Sequence, residues 1–253
     1  MQDAVRAHLF QSACCDIIIS RNITFEARRG PEGKKRLQHA LSCLARLQQL
    51  RRAEAPSSKS NEAEFLMQLE VELMLQSSED SIDKMVASHL EQGAVPDSTF
   101  LFRSLRLCMA QLKTQPAVAK AAMRLANSCI QVLLCKDAAQ PLKWADLADA
   151  MLLRIILMVQ HGRHEAEPQN TPLKFWEEMH HPIKESAGQF PESHIQSASV
   201  YAYNYGVKAF YFGRKVEAEQ WMAMSYKLSK LTRLMDKQTE DKISQAYEVV
   251  LER

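Results

Sequence analysis

The chain has 253 residues, 46% of them hydrophobic and 25% charged, enough to bury a core and keep a well-solvated surface. Its 32 basic and 30 acidic side chains nearly cancel to a formal +2, which removes the general electrostatic reason to expect direct nucleic-acid or membrane binding. Six cysteines without a C-x-x-C pair fit a reduced, intracellular, soluble protein better than a disulfide framework.

Only seven glycines stand against abundant Leu, Ala, Gln, Glu, Lys and Met, and no long stretch alternates with period two. That composition predicts an all-α chain. In chain order, apolar spacing and its punctuation predict helices over 2–19, 32–52, 61–76, 80–92, 97–113, 116–135, 142–162, 172–187, 192–212, 214–232 and 237–252. Cys14 and Cys15 lie in the apolar run of the first helix and read as buried thiols. Arg6, His8 and Asp16 interrupt that stretch, which therefore does not resemble a signal peptide. The second helix aligns Leu37, Leu41, Leu44 and Leu47, and the basic runs Arg28-Arg29, Lys34-Lys35-Arg36 and Arg51-Arg52 read as solvated helix ends. Leu101, Leu105, Cys108 and Leu112 line the fifth, and Val118, Ala122, Leu125, Cys129 and Val132 the sixth. Trp144, Leu147, Ala148, Met151, Leu152, Ile155, Ile156 and Val159 give the seventh a continuous apolar face. Its centre, "MLLRIILMV" at 151–159, is too short to cross a bilayer and contains Arg154.

The breaks between helices are short, and several carry a helix-start residue or a proline. The longest polar one, 163–171, marks where a single helical-repeat region, 1–253, would divide into degenerate hairpins over 1–162 and carboxyl-terminal repeats over 172–253. Eleven helices with short joints fit either a globular bundle or an α-solenoid of antiparallel pairs.

A search for chemistry finds no converging set. His161 and His164 are three apart but straddle Gly162, and "FWEEMHH" places Glu177, Glu178, His180 and His181 without the H-E-x-x-H spacing of a zinc helix. The latter reads as a surface turn ended by Pro182. Asp146 and Asp149 form a D-x-x-D pair, yet no second acidic cluster answers it, and a first helical turn favours carboxylates anyway. Phosphate-binding glycine loops and the G-x-S-x-G elbow are missing. The expectation is a chain without catalytic residues, metal or cofactor. The twelve methionines, including Met222 and Met224 beside Trp221, read as core filler.

The stretch "NYGVKAFYFGRKVEAEQWMAMSYKL", 204–228, says more. Glycine inside a helix is a cost unless something must come close. Gly206 on the first helix, with Ala218 and Ser225 on the second, would let two backbones approach. Gly213 would end the first helix in a left-handed conformation. Tyr203, Phe210 and Trp221 would supply bulk around the crossing. Together with Asn204, this spacing of small residues resembles the tetratricopeptide repeat, a helix–turn–helix unit of roughly 34 residues; here the unit spans 199–232. It departs from that pattern at Ala209, Lys215 and Lys230. The favoured fold is therefore an α-solenoid of degenerate, tetratricopeptide-like pairs with 237–252 as a carboxyl-terminal capping helix.

More narrowly, Tyr203-Asn204-Tyr205-Gly206-Val207, then Ala218-Glu219-Gln220-Trp221, then Leu228 and Leu231 before a long last helix, resemble the carboxyl-terminal end of a known family. This is the meiotic tetratricopeptide-repeat crossover family, of the testis-expressed protein eleven and sporulation-specific type. The resemblance covers 195–252, with tyrosine at 203 where the family would carry tryptophan. It implies a non-catalytic scaffold on meiotic chromosomes in the nucleus, holding crossover and synapsis factors as a hub. It also implies that the chain is the carboxyl-terminal part of a longer solenoid whose natural start need not be Met1.

In such an array the first helix of each pair lines the concave side, which makes Tyr203, Val207, Phe210 and Tyr211 the candidate partner-binding strip. Its partners would be proteins, with neither direct nucleic-acid nor membrane contact, and the oligomeric state is left open. Two alternatives remain. One is a co-chaperone-like module clamping a peptide carboxylate, to which Asn204 and Lys208 would give one unit's share. The other is an all-helical enzyme or regulatory subunit, which would need the missing carboxylate or histidine convergence.

Overall fold

A computed structural model describes residues 2–22, 24–51, 58–91, 97–135, 143–161 and 172–252. Every regular element among them is helical, twelve α-helices and one 3-10 turn, so the all-α expectation holds. The chain forms two compact units, Met1–Leu125 and Ala126–Arg253. The expected division at 163–171 lies outside the described residues.

The first unit holds α1 (Gln2–Asn22), α2 (Phe25–Arg29), α3 (Pro31–Arg51), α4 (Ser58–Leu75), α5 (Glu79–Glu91), α6 (Ser98–Gln111), the 3-10 turn Pro116–Val118 and the start of α7 (Ala119–Leu134). α3 packs along α1 and also against α4. The seam is apolar: Ala13 with Cys43, Leu44 and Leu47 forms one cluster, and Ile17 with Leu37, Ala40 and Val71 another. The leucine spacing foreseen in α3 is thus its buried face.

The short α2 was not foreseen; it occupies part of the segment read as a break. Thr24 caps it, its hydroxyl accepting from the Ala27 N–H at 3.3 Å, and Pro31 opens α3 where its missing N–H costs nothing. The two helices meet so closely that a Cβ on Gly33 would stand 2.5 Å from the carbonyl oxygens of both Ala27 and Arg28. Further along, His89 of α5 stacks on Phe65 of α4 at 4.1 Å and lies 5.2 Å from Phe100 of α6. Burial pushes the His89 imidazole below its ordinary pKa. Asp83, nearly buried, accepts two bonds from Arg124 at 2.6 and 3.3 Å and pairs with Lys120 at 3.3 Å.

The second unit holds the rest of α7, then α8 (Trp144–His161), α9 (Pro172–Glu185), α10 (Glu192–Tyr211), α11 (Lys215–Ser229) and α12 (Lys237–Leu251). α10 runs beside α11 along most of its length; α8 packs on α10, α9 on α11, and α12 on α11. α9 runs through Pro182 to Glu185, in line with the helix expected over 172–187, so the turn "FWEEMHH" is not ended by Pro182. Proline in a helix interior forfeits one amide hydrogen bond, and here the buried ring is kept inside the packed helix. Arg154, the lone cation of the apolar α8 centre, is buried, pairs with Glu178 of α9 and lies 5.2 Å over the Phe175 ring.

Candidate protein-binding surface

The seam between α10 and α11 is built from small residues. On α10, Ser199, Ala202, Gly206 and Ala209 recur at steps of three and four residues, and all are buried. Facing them on α11 are Ala218, Met222, Ser225 and Ser229, also buried. At Gly206 a Cβ would stand 3.0 Å from Met222 Cγ and 3.1 Å from its sulfur, so the glycine's neighbour is the methionine side chain. About two turns before Gly206 along α10 the helices are clasped. The Ser199 hydroxyl donates to the Ser225 carbonyl at 2.9 Å, the Ser225 hydroxyl donates to the Ser199 carbonyl at 2.9 Å, and both serines are fully buried. Ser225 was expected here for its size alone; its pairing with Ser199 has no signature in the linear sequence.

Gly213 closes α10 as anticipated, with φ +71°. The Arg214 N–H reaches the Ala209 carbonyl at 2.9 Å and the Gly213 N–H reaches the Phe210 carbonyl at 2.9 Å, the paired bonds of a Schellman stop. This also gives Ala209 a role. Ala209 is a departure from the tetratricopeptide pattern, and the position is fully buried in the seam.

The bulk beside the crossing comes from Trp221, as expected, and from Tyr205, which was not singled out. Their rings meet edge to face with centroids 5.1 Å apart. Burial pushes the Tyr205 phenol up, and its oxygen accepts from Arg214 at 3.3 Å. Arg214 also pairs with Glu217 at 2.8 Å. Tyr203 and Phe210 are half-buried.

Of the expected strip, Tyr203, Val207 and Phe210 are half-buried and Tyr211 is 83% exposed. Asn204 and Lys208 face solvent. α12 lies chiefly on α11, where Tyr226 stacks on Tyr247 at 5.4 Å and Ile243 is buried, so its main contact is not with the strip. Phe212 and Val216, which the sequence reading passed over, are 68% and 71% exposed beside Tyr211 at the turn.

Two hydrogen-bonded arrays elsewhere carry the residue types of catalytic relays. In the first unit Asp16 Oδ2 lies 2.7 Å from His39 Nδ1, whose Nε2 lies 3.8 Å from Cys43 Sγ. Burial, with the Asp16 charge behind it, pushes the Cys43 thiol up and disfavours a nucleophilic thiolate. In the second unit Asp149 Oδ1 lies 2.7 Å from His194 Nε2, and Ser193 Oγ is 3.4 Å from His194 Nδ1. Ser193 and His194 are consecutive on one helix, and the firm contact is the one tying α10 to α8. Asp149 of the D-x-x-D pair is thereby engaged, while Asp146 sits 3.9 Å from Lys143.

His180 packs its ring against Trp176 at 4.7 Å, and His181 pairs with Glu185 at 3.2 Å. His164 and the side chain of His161 lie outside the described residues. Among the described residues no group of three or more His, Cys, Asp or Glu is placed to hold a metal ion, and no helix is long and apolar enough to cross a membrane. Comparison of the chain with protein-family models, curated proteins and solved structures returns no match.

Proposed function

We propose that the chain is a non-catalytic protein-interaction scaffold built of tetratricopeptide-like helix pairs. By its resemblance over 195–252 it is the carboxyl-terminal part of a nuclear meiotic hub that holds crossover and synapsis factors on chromosomes. The observation that carries the reading is the α10–α11 crossing. Gly206 is pressed against Met222, the large residue four after Ala218, which is the spacing at which the repeat places its small and bulky partners. The order of packing supports it as well. α8 on α10 and α9 on α11 set first helix against first helix and second against second, the relation that lets pairs stack into an array.

The half-buried strip of Tyr203, Val207 and Phe210, with exposed Tyr211, then forms the platform for an apolar helix or peptide of a partner protein. The test is capture from extracts of cells in meiotic prophase with the chain as bait. Recovery of chromosome-axis proteins, lost for a Tyr203→Ala/Val207→Ala variant of unchanged helical circular dichroism, is the expected result. Recovery of heat-shock chaperones alone would replace this reading with the peptide-clamp one.

A further inference from the structure

One end of the second unit gathers five of its exposed large apolar residues, while Leu234 lies at the other, in the α11–α12 joint. α12 runs antiparallel to α11, fixed by the Lys230–Glu240 pair at 2.6 Å and the Tyr226–Tyr247 stack. That register brings Leu251 to the level of Gln220 and Trp221, about 7 Å along the axis from Val216 at a helical rise of about 1.5 Å per residue. Tyr211, Phe212 and Val216 of the turn therefore share an end with Val249 and Leu251, which are 43% and 54% exposed. Clusters of this kind on a folded surface mark contacts with another molecule.

The charges divide in the same way. Around the turn Lys208 and Lys215 are exposed, while Arg214 is locally matched by Glu217, and Glu219 faces solvent one turn inside. Among the described residues, the exposed charges on the last turns of α12 are Glu248 and Glu252. A partner of uniform charge would suit only half of this surface. A copy of the same surface, turned about a two-fold axis, sets the lysine-flanked aromatic turn against the glutamate-flanked end of α12, and does so twice. We propose that this end of the unit docks a second copy of the chain as an isologous dimer, with Phe212 and Tyr211 as its anchors. This surface shares Tyr211 with the α10 strip and borders it at Lys208, so Phe212→Asp, outside the strip, is the variant that separates self-association from partner capture.

Sedimentation velocity of the full chain over about a hundredfold range of concentration tests it, because a dimer assembles by mass action. The expected result is a monomer–dimer equilibrium that Phe212→Asp shifts to monomer without changing helical circular dichroism or thermal midpoint. Charge reversal sharpens the test. Lys208→Glu/Lys215→Glu and Glu248→Lys/Glu252→Lys each weaken self-association by about tenfold or more, and an equimolar mixture of the two restores it, since every contact then joins opposite charges. A chain monomeric at all concentrations, a dimer indifferent to Phe212→Asp, or a mixture that stays monomeric overturns the proposal. Co-sedimentation of a monomeric chain with phosphatidylserine vesicles would overturn it in favour of a lipid surface.

Discussion

Each unit contains a helix–helix contact made over a glycine, and the two places differ in what the glycine faces. Gly33 of α3 looks into the backbone of α2, with two carbonyl oxygens at 2.5 Å from where its Cβ would be. Gly206 of α10 looks onto Met222, an unbranched side chain at 3.0 to 3.3 Å. Backbone cannot yield without unmaking a helix, whereas methionine has rotamers to spare. The first contact is therefore rigid and the second adaptable, although the sequence shows the same residue type at both.

The largest expected effect comes from breaking the rigid site. Gly33→Ala should cost about 3 kcal/mol, at the upper end of overpacking penalties, read as a lowered urea midpoint. The serine clasp ranks next: Ser199→Ala/Ser225→Ala removes two buried hydrogen bonds and should cost about 2 kcal/mol in all. Each single variant already loses one hydroxyl's bond while its partner persists, so a double-mutant cycle reads the coupling between them. Gly213→Ala places a Cβ at φ +71° with open space around it, so only backbone strain counts, at about 1 kcal/mol. Gly206→Ala should be the mildest. A helix gains about 1 kcal/mol of propensity on replacing glycine, offsetting a few tenths of an ångström of movement by Met222, and the net change should stay within about 1 kcal/mol.

A pH titration separates the units by another route. His89 has its folded pKa lowered from an ordinary value of 6.5, so its protonation favours the unfolded chain. The stability it permits is complete above pH 6.5 and declines as pH falls below that value toward the lowered one. Faster amide exchange in α4, α5 and α6 on acidification, abolished by His89→Phe, is the expected outcome. Tryptophan fluorescence reports on the second unit alone, since Trp144, Trp176 and Trp221 all lie there. It should not follow the His89 titration.

What could be read in advance was whatever repeats along a single helix. The leucines of α3, the apolar face of α8 and the glycine stop at Gly213 each declare themselves within one or two turns, because apolar period and left-handed φ are local requirements. Pairings made in space do not. Ser199 lies 26 residues from Ser225 and Asp149 lies 45 from His194, and nothing in either local sequence announces the partner. Tyr205 was passed over because three tyrosines crowd residues 201–205, and only packing decides which one meets Trp221. α2 escaped because five residues between Thr24 and Gly30 carry no measurable period. Phe212 and Val216 escaped for the opposite reason: apolar residues are assumed to be inside, and these two are not.

Cross-linking mass spectrometry on nuclei in meiotic prophase tests the scaffold reading most directly, with Lys208, exposed next to Val207, as the reporting amine. The account predicts links from Lys208 to a chromosome-axis protein that disappear with the Tyr203→Ala/Val207→Ala variant. Links that leave Lys208 untouched while reaching such proteins from elsewhere, or none to any chromosomal protein, would contradict it.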